Sequence, residues 1–196
     1  MIIFDNVSLS YDGKTVLKNF SWAVPEERLV VITGPSGSGK TTLLRIIAGL
    51  TIPTSGKISG TPHRVSYLFQ EHRLIPRRTV LENLRLVSEK PDEWLERVGL
   101  ADSVGLYPAE LSGGMRQRAA IARALAFPAE TLFLDEPFKE LDDATAGVIL
   151  DLLEEQVKVR ERVILVTHDP EFAAKLAGTV ARFAGPPLRL LDNADI

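Results

Sequence analysis

Cysteine is absent from the 196 residues. Its absence excludes disulfides and thiolate metal sites, and is compatible with a cytoplasmic location. No run of 18 apolar residues occurs, so no segment reads as a bilayer-crossing helix. The N-terminus lacks the basic-then-apolar pattern of a signal peptide. Internal repeats and low-complexity tracts are missing. A dominant charge is missing too. Lys and Arg number 23 and Asp and Glu 26, leaving a net charge of −3. That balance gives no reason to expect nucleic acid or an acidic membrane surface as the main partner. The remaining composition, 45% hydrophobic and 25% charged, is that of a globular protein able to bury a sizeable core. The length suits one large or two small domains.

One stretch organises the rest. Gly34-Pro35-Ser36-Gly37-Ser38-Gly39-Lys40-Thr41-Thr42 fits G-x-x-x-x-G-K-[ST] at every defined position from Gly34 to Thr41. Before it, Leu29–Thr33 is a short β-branched run, the mark of a buried strand. After it, residues 43–50 are apolar at helical spacing. Strand, loop and helix in that order give the motif its mechanism. Glycines let backbone N–H groups turn inward, and with the helix dipole they form a nest for phosphate oxygens. Lys40 is expected to reach the β- and γ-phosphates, and the Thr41 hydroxyl to ligate Mg²⁺.

Along the chain, residues 2–11 partly alternate, with Phe4, Val7, Leu9 and Tyr11 as inward or functional positions. Asp12-Gly13-Lys14 reads as a hairpin turn and 16–24 as a second strand. A short edge strand is expected at 57–60 and a better one at 65–69. Thr79 and Glu82 spell a capping box, which opens a helix over 79–89. A second short helix covers 91–100. A longer one follows Ser112 and stops at Pro128. Buried strands at 131–134 and 163–167 alternate with helices at 144–160 and 170–176. Two strand-like pieces of the tail are split by Gly185-Pro186-Pro187. Alternating strands and helices make an α/β fold with a mainly parallel sheet. Its functional groups fall at the carboxyl ends of the strands.

Two further constellations carry chemistry. Leu132-Phe133-Leu134 is an apolar strand that delivers Asp135 and Glu136 at its tip. Beside a phosphate loop, Asp135 suits a Mg²⁺ ligand. Glu136 points differently if side chains go on alternating, and suits the base for an attacking water. Leu111-Ser112-Gly113-Gly114-Met115 opens a helix with an N-cap and two glycines, which leaves its first amides open to a second phosphate. Taken alone, the same residues are equally an ordinary N-cap followed by flexible glycines.

In combination, GPSGSGKT, then LSGGM, then LFLDEP resembles the nucleotide-binding subunit of ABC (ATP-binding cassette) transporters, over nearly the whole chain from Tyr11 to His168. The resemblance implies a single ABC ATPase domain over 1–196. It has a P-loop NTPase core of RecA-like type, an N-terminal antiparallel β subdomain, and a small helical subdomain at about 71–118. It implies ATP and Mg²⁺ as cofactors. ATP is held by Tyr11 on the adenine, by Gly34 to Thr42 on the phosphates, and by Ser112, Gly113 and Gly114 of a second copy packed head-to-tail. Thr41, Gln70 and Asp135 fit the metal positions, and Glu136, His168 and Gln70 the catalytic ones. Asp142 fits an aspartate that helps set the dimer interface. Members more often have small residues where Lys139 and Glu140 stand.

The implied function is an ATPase subunit that energises transport through separate transmembrane permease subunits, with a solute-binding protein reached through them. Its place is the cytoplasmic face of the cell membrane. Phe69-Gln70-Glu71 with Leu74, Pro76, Thr79-Val80 and Glu82-Asn83 resembles bacterial importers of the taurine, sulfonate and nitrate group, although Arg77 stands where many of those have Trp. The contending reading is an ABC-type ATPase of DNA repair, chromosome structure or translation. Repair and chromosome types insert long coiled coils between the two glycine-rich motifs. Here only the 69 residues 43–111 separate Thr42 from Ser112, and they hold no heptads. A GTPase would need an Asn-Lys-x-Asp guanine reader, and none occurs.

Overall fold

The structure is a computed structural model and describes residues 1–176 and 178–191. β1 (Ile2–Tyr11) and β2 (Lys14–Val24) pair antiparallel about the Asp12-Gly13 turn. β4 (Ser55–Ser59) joins the other side of β1. It begins two residues before the expected edge strand because its register is set by β1, with Ser8 opposite Ser55. Phe4, Val7 and Leu9 all point inward and are buried.

A second sheet has the order β5-β6-β7-β3-β8-β9. Its strands are β3 (Leu29–Thr33), β5 (Val65–Leu68), β6 (Thr131–Asp135), β7 (Arg162–Thr167), β8 (Thr179–Ala184) and β9 (Arg189–Leu190). All pairs are parallel except the β8–β9 hairpin. The fold is therefore the expected α/β P-loop type, with an added antiparallel sheet. Apolar runs such as Val30-Val31-Ile32 and Leu132-Phe133-Leu134 are fully buried because both faces of this sheet are covered.

Among the described residues there are six α-helices: α1 (Lys40–Ile47), α2 (Val80–Arg85), α3 (Pro91–Arg97), α4 (Gly113–Ala126), α5 (Asp143–Val159) and α6 (Pro170–Lys175). α1 starts three residues earlier than its apolar pattern, inside the glycine motif. α2 has the capping box of Thr79 and Glu82 but ends at Arg85, four residues short of expectation. Pro91 starts α3, which pushes Lys90 out of helical geometry, and the last turn of α2 tightens as Val87 N–H bonds to Leu84.

Alternate side chains of the central strands feed two separate cores. Leu29, Val31, Leu132, Leu134, Val163 and Leu165 pack with α2 to α5. Val30, Ile32, Phe133, Ile164 and Val166 pack with α1 and the antiparallel sheet.

Candidate functional site

The loop after β3 turns into α1 at Gly39, whose φ of +108° a Cβ-bearing residue rarely adopts. The first bond of the helix runs from Leu43 N–H to Gly39 C=O at 2.9 Å. The amides of Lys40, Thr41 and Thr42 thus have no acceptor within the helix. The same loop walls a cavity of about 250 Å³ lined by Ser36, Gly37, Gly39, Lys40, Thr41 and Thr42, with Val16, Gln70 and Glu136 opposite. Gly34 and Pro35 face away, onto a second cavity beside Arg182 and Phe183. Ser38 is wholly buried and its hydroxyl has no partner.

Lys40 is 5% exposed, and its Nζ donates to the carbonyls of Gly34 (2.7 Å) and Pro35 (2.8 Å). Its charge is aimed along the loop it belongs to. Burial lowers its pKa, and the nearby Glu136 and Asp135 charges oppose that fall. For Lys40 to meet a phosphate, oxygens of the ligand must replace these two carbonyls.

Asp135 ends β6 and is completely buried. Oδ1 accepts from the Thr41 hydroxyl at 3.0 Å, and Oδ2 has no partner. Burial pushes this carboxyl up to about 6, against the Thr41 bond, which lowers it. A hydroxyl, an orphaned carboxylate oxygen and the nearby Gln70 amide are oxygen donors of the kind a hard divalent cation takes. Among the described residues no group of three His, Cys, Asp or Glu could bind a metal by protein alone. The hydroxyl, carboxylate and amide oxygens suit Mg²⁺, which keeps waters and takes phosphate oxygens as ligands.

The raised pKa has a consequence for stability. The folded protein holds the Asp135 proton to higher pH than the unfolded chain does. Stability is therefore lost as pH rises through the window from about 4 to about 6, and the loss is complete above it. At about 1.4 kcal/mol per pKa unit, the cost at neutral pH is on the order of 2–3 kcal/mol. Asp135→Asn is expected to raise Tm by about 5 °C at pH 7.5 without divalent ions. The gain should shrink towards pH 4. Thermal scans at both pH values check it, and a lower Tm for the variant at pH 7.5 contradicts it.

Glu136 does not follow the strand alternation expected from the sequence. β6 ends at Asp135, and Glu136 has a left-handed backbone with φ +54°. Its amide bonds to Val166 C=O at 2.9 Å. Its own carbonyl and that of Pro137 accept from Gln117 Nε2 at 3.3 and 2.9 Å. Its Oε2 accepts from His168 N–H at 3.3 Å and lies 2.9 Å from His168 Nδ1. This turn swings the carboxylate over the cavity and leaves Asp135 beneath it. Gln117, buried in α4, was not singled out by the sequence. A glutamine on the inner face of a helix is its only sequence signal.

Other sites expected from the sequence lie apart. Tyr11 ends β1, is 44% exposed and does not line the cavity. Asp142 caps α5, accepting from Thr145 N–H at 2.9 Å. Ser112 caps α4, accepting from Met115 N–H at 3.2 Å. Neither Ser112 nor Gly113 nor Gly114 lines the cavity of the phosphate loop. The two glycine-motif helices share one property. α2, α3, α5 and α6 each carry an acidic residue in the first turn, whereas α1 and α4 carry none.

Comparison with known proteins gives the family. Residues 17–139 match the ABC transporter family. The aliphatic sulfonates import ATP-binding protein SsuB of Delftia acidovorans is 43% identical over 181 residues, covering 88% of this chain and 75% of that one. The glutamine transport ATP-binding protein GlnQ of Bacillus subtilis is 36% identical over 206 residues, covering 92% and 85%. The dimeric structure of MJ0796, a bacterial ABC transporter cassette, superposes with a TM-score of 0.83 at 32% identity, covering 93% and 94%. A dimeric post-hydrolysis state of the same cassette, bound to ADP and Pi, gives 0.84 at 29% identity. The family match and the extent of these likenesses show that this chain belongs to the ABC transporter family.

Proposed function

We propose that the chain is the ATPase subunit of a bacterial importer for small organic anions of the aliphatic sulfonate type, working as a head-to-tail pair of copies. One observation carries the mechanism: a single cavity is walled by the phosphate loop, Gln70 and Glu136. ATP hydrolysis itself is the activity of the family. Within it, the α1 amides and Lys40 hold the β- and γ-phosphates, and Tyr11 meets the adenine. Thr41, Asp135 and Gln70 would hold Mg²⁺, which offsets the phosphate charge as it develops. Glu136 takes a proton from the attacking water, and His168 orients the Glu136 carboxylate and faces the γ-phosphate. Ser112, Gly113 and Gly114 of the second copy complete the phosphate contacts.

Among the described residues no helix is long and apolar enough to cross a membrane. On this reading the transmembrane path belongs to separate permease subunits, with a solute-binding protein beyond them, and this subunit sits peripherally on their cytoplasmic side. The contact surface is the groove at Gln70 and residues 71–79, where Arg73 stacks over Phe69 at 4.0 Å and Ile75 is exposed. Affinity purification from detergent-solubilised membranes is expected to recover an integral membrane protein with the chain. Recovery of the chain alone, while its ATPase activity is intact, would sink the transport reading and leave the enzyme reading standing.

A further inference from the structure

Glu140 lies in the segment between β6 and α5. Its φ of +65° is left-handed, uncommon for a residue with a side chain. That turn lays the segment across the start of α4. A Cβ on Gly113 would stand 2.5 Å from Glu140 Oε2, and one on Gly114 would stand 2.9 Å from the Glu140 carbonyl. A side chain at Gly114 would meet fixed backbone, and one at Gly113 would have to push the Glu140 carboxylate aside. The carboxylate also has basic neighbours, of which Lys139 carries a charge and His72 is an imidazole whose pKa burial lowers. Oε2 is 3.6 Å from His72 Nε2, Oε1 is 3.9 Å from Lys139 Nζ, and Arg116 acts on the same histidine. α4 has no acidic residue in its own first turn. It receives one from another part of the chain.

We propose that Glu140 is a tethered anion at the start of α4, occupying the place where the nucleotide of a second copy puts its terminal phosphate, and that it thereby sets how much ATP the closed pair requires. The inference rests on the reading that Ser112, Gly113 and Gly114 receive the nucleotide of a second copy. Two anions cannot share one helix start without repulsion, so closure displaces Glu140 or weakens the phosphate contact. Charge at a helix terminus is worth roughly 2–5-fold in an equilibrium constant. A closed pair has two such junctions, so the effect on pairing is about 4–25-fold if the junctions act independently.

The test compares Glu136→Gln with the double variant Glu136→Gln/Glu140→Gln by sedimentation during an ATP titration. The double variant is expected to pair at several-fold lower ATP, and the advantage should shrink at high salt, which screens exposed charge. Glu140→Ala in the same background should give the same shift, whereas Glu155→Gln, on the outer face of α5, should give none. Equal or weaker pairing by the Gln variant overturns the proposal. So does a shift seen with Ala but not with Gln, because bulk rather than charge would then be the cause. If Glu136→Gln alone fails to pair at saturating ATP, the two-copy reading falls first and takes the tethered anion with it.

Discussion

Glu136→Gln is expected to bind ATP and form the dimer while turnover falls by roughly 10²–10⁴-fold, the range a positioned general base contributes. The amide has the shape of the carboxylate and can still accept from the His168 N–H, but it cannot take a proton from water. The backbone around it should not respond. A left-handed residue costs on the order of 1–3 kcal/mol and persists only where its surroundings over-determine it. Here Val166, Gln117 and His168 all hold it. Phosphate release, nucleotide binding and size-exclusion in ATP separate the effects. A near-normal rate would remove Glu136 as the base. Loss of binding together with rate would place it in nucleotide affinity instead.

Arg160→Met is expected to cost about 3–5 kcal/mol, the largest loss of stability from a single change here. The guanidinium is only 7% exposed, at the end of α5. It donates to Leu125, Phe127 and Ala129 carbonyls at 2.7, 3.0 and 2.6 Å, and to Gln156 Oε1 at 2.8 Å. Burial lowers its pKa. The carbonyls belong to the last turn of α4 and the segment after it, so a cation sits at the negative end of that helix. Methionine fills similar space but leaves those acceptors without a donor. Lysine restores the charge without the planar fork, so Arg160→Lys should recover only part of the loss. Denaturant unfolding measures both. A loss under about 1 kcal/mol would mean that water or a neighbour satisfies the carbonyls.

Neither Arg160 nor the turn at Glu136 could be read from the sequence. An arginine after an amphipathic helix looks like a solvated end. What makes it a buried clamp is the approach of the chain beyond α4, a contact between residues about thirty apart. A left-handed glutamate has no composition signal, because the conformation is imposed by β7 and α4. By contrast, the phosphate loop, the capping box at Thr79 and the buried runs at 29–33, 131–134 and 163–167 were legible, since each depends on near neighbours and on period. The parallel character of the sheet was legible from the alternation of strands and helices. The strand order β5-β6-β7-β3-β8-β9 was not, because it depends on which crossovers pack. Glu140 was legible only as a departure from pattern. Its perch over Gly113 needed the fold.

The division of the interior into two cores has a mechanical consequence. α1 is fastened to one face of the parallel sheet and α4 to the other, and among the described residues their buried side chains fall in separate clusters. The sheet works as a stiff partition. A tilt of the α4 side can therefore be absorbed by sliding within its own compartment, with the packing beneath the phosphate loop undisturbed. Amide hydrogen exchange would read this as two cooperative units with separate opening free energies. On the proposed two-copy reading, the span between the two helix starts would lengthen or shorten as a rigid-body adjustment, and nucleotide grip need not be loosened each time the pair opens.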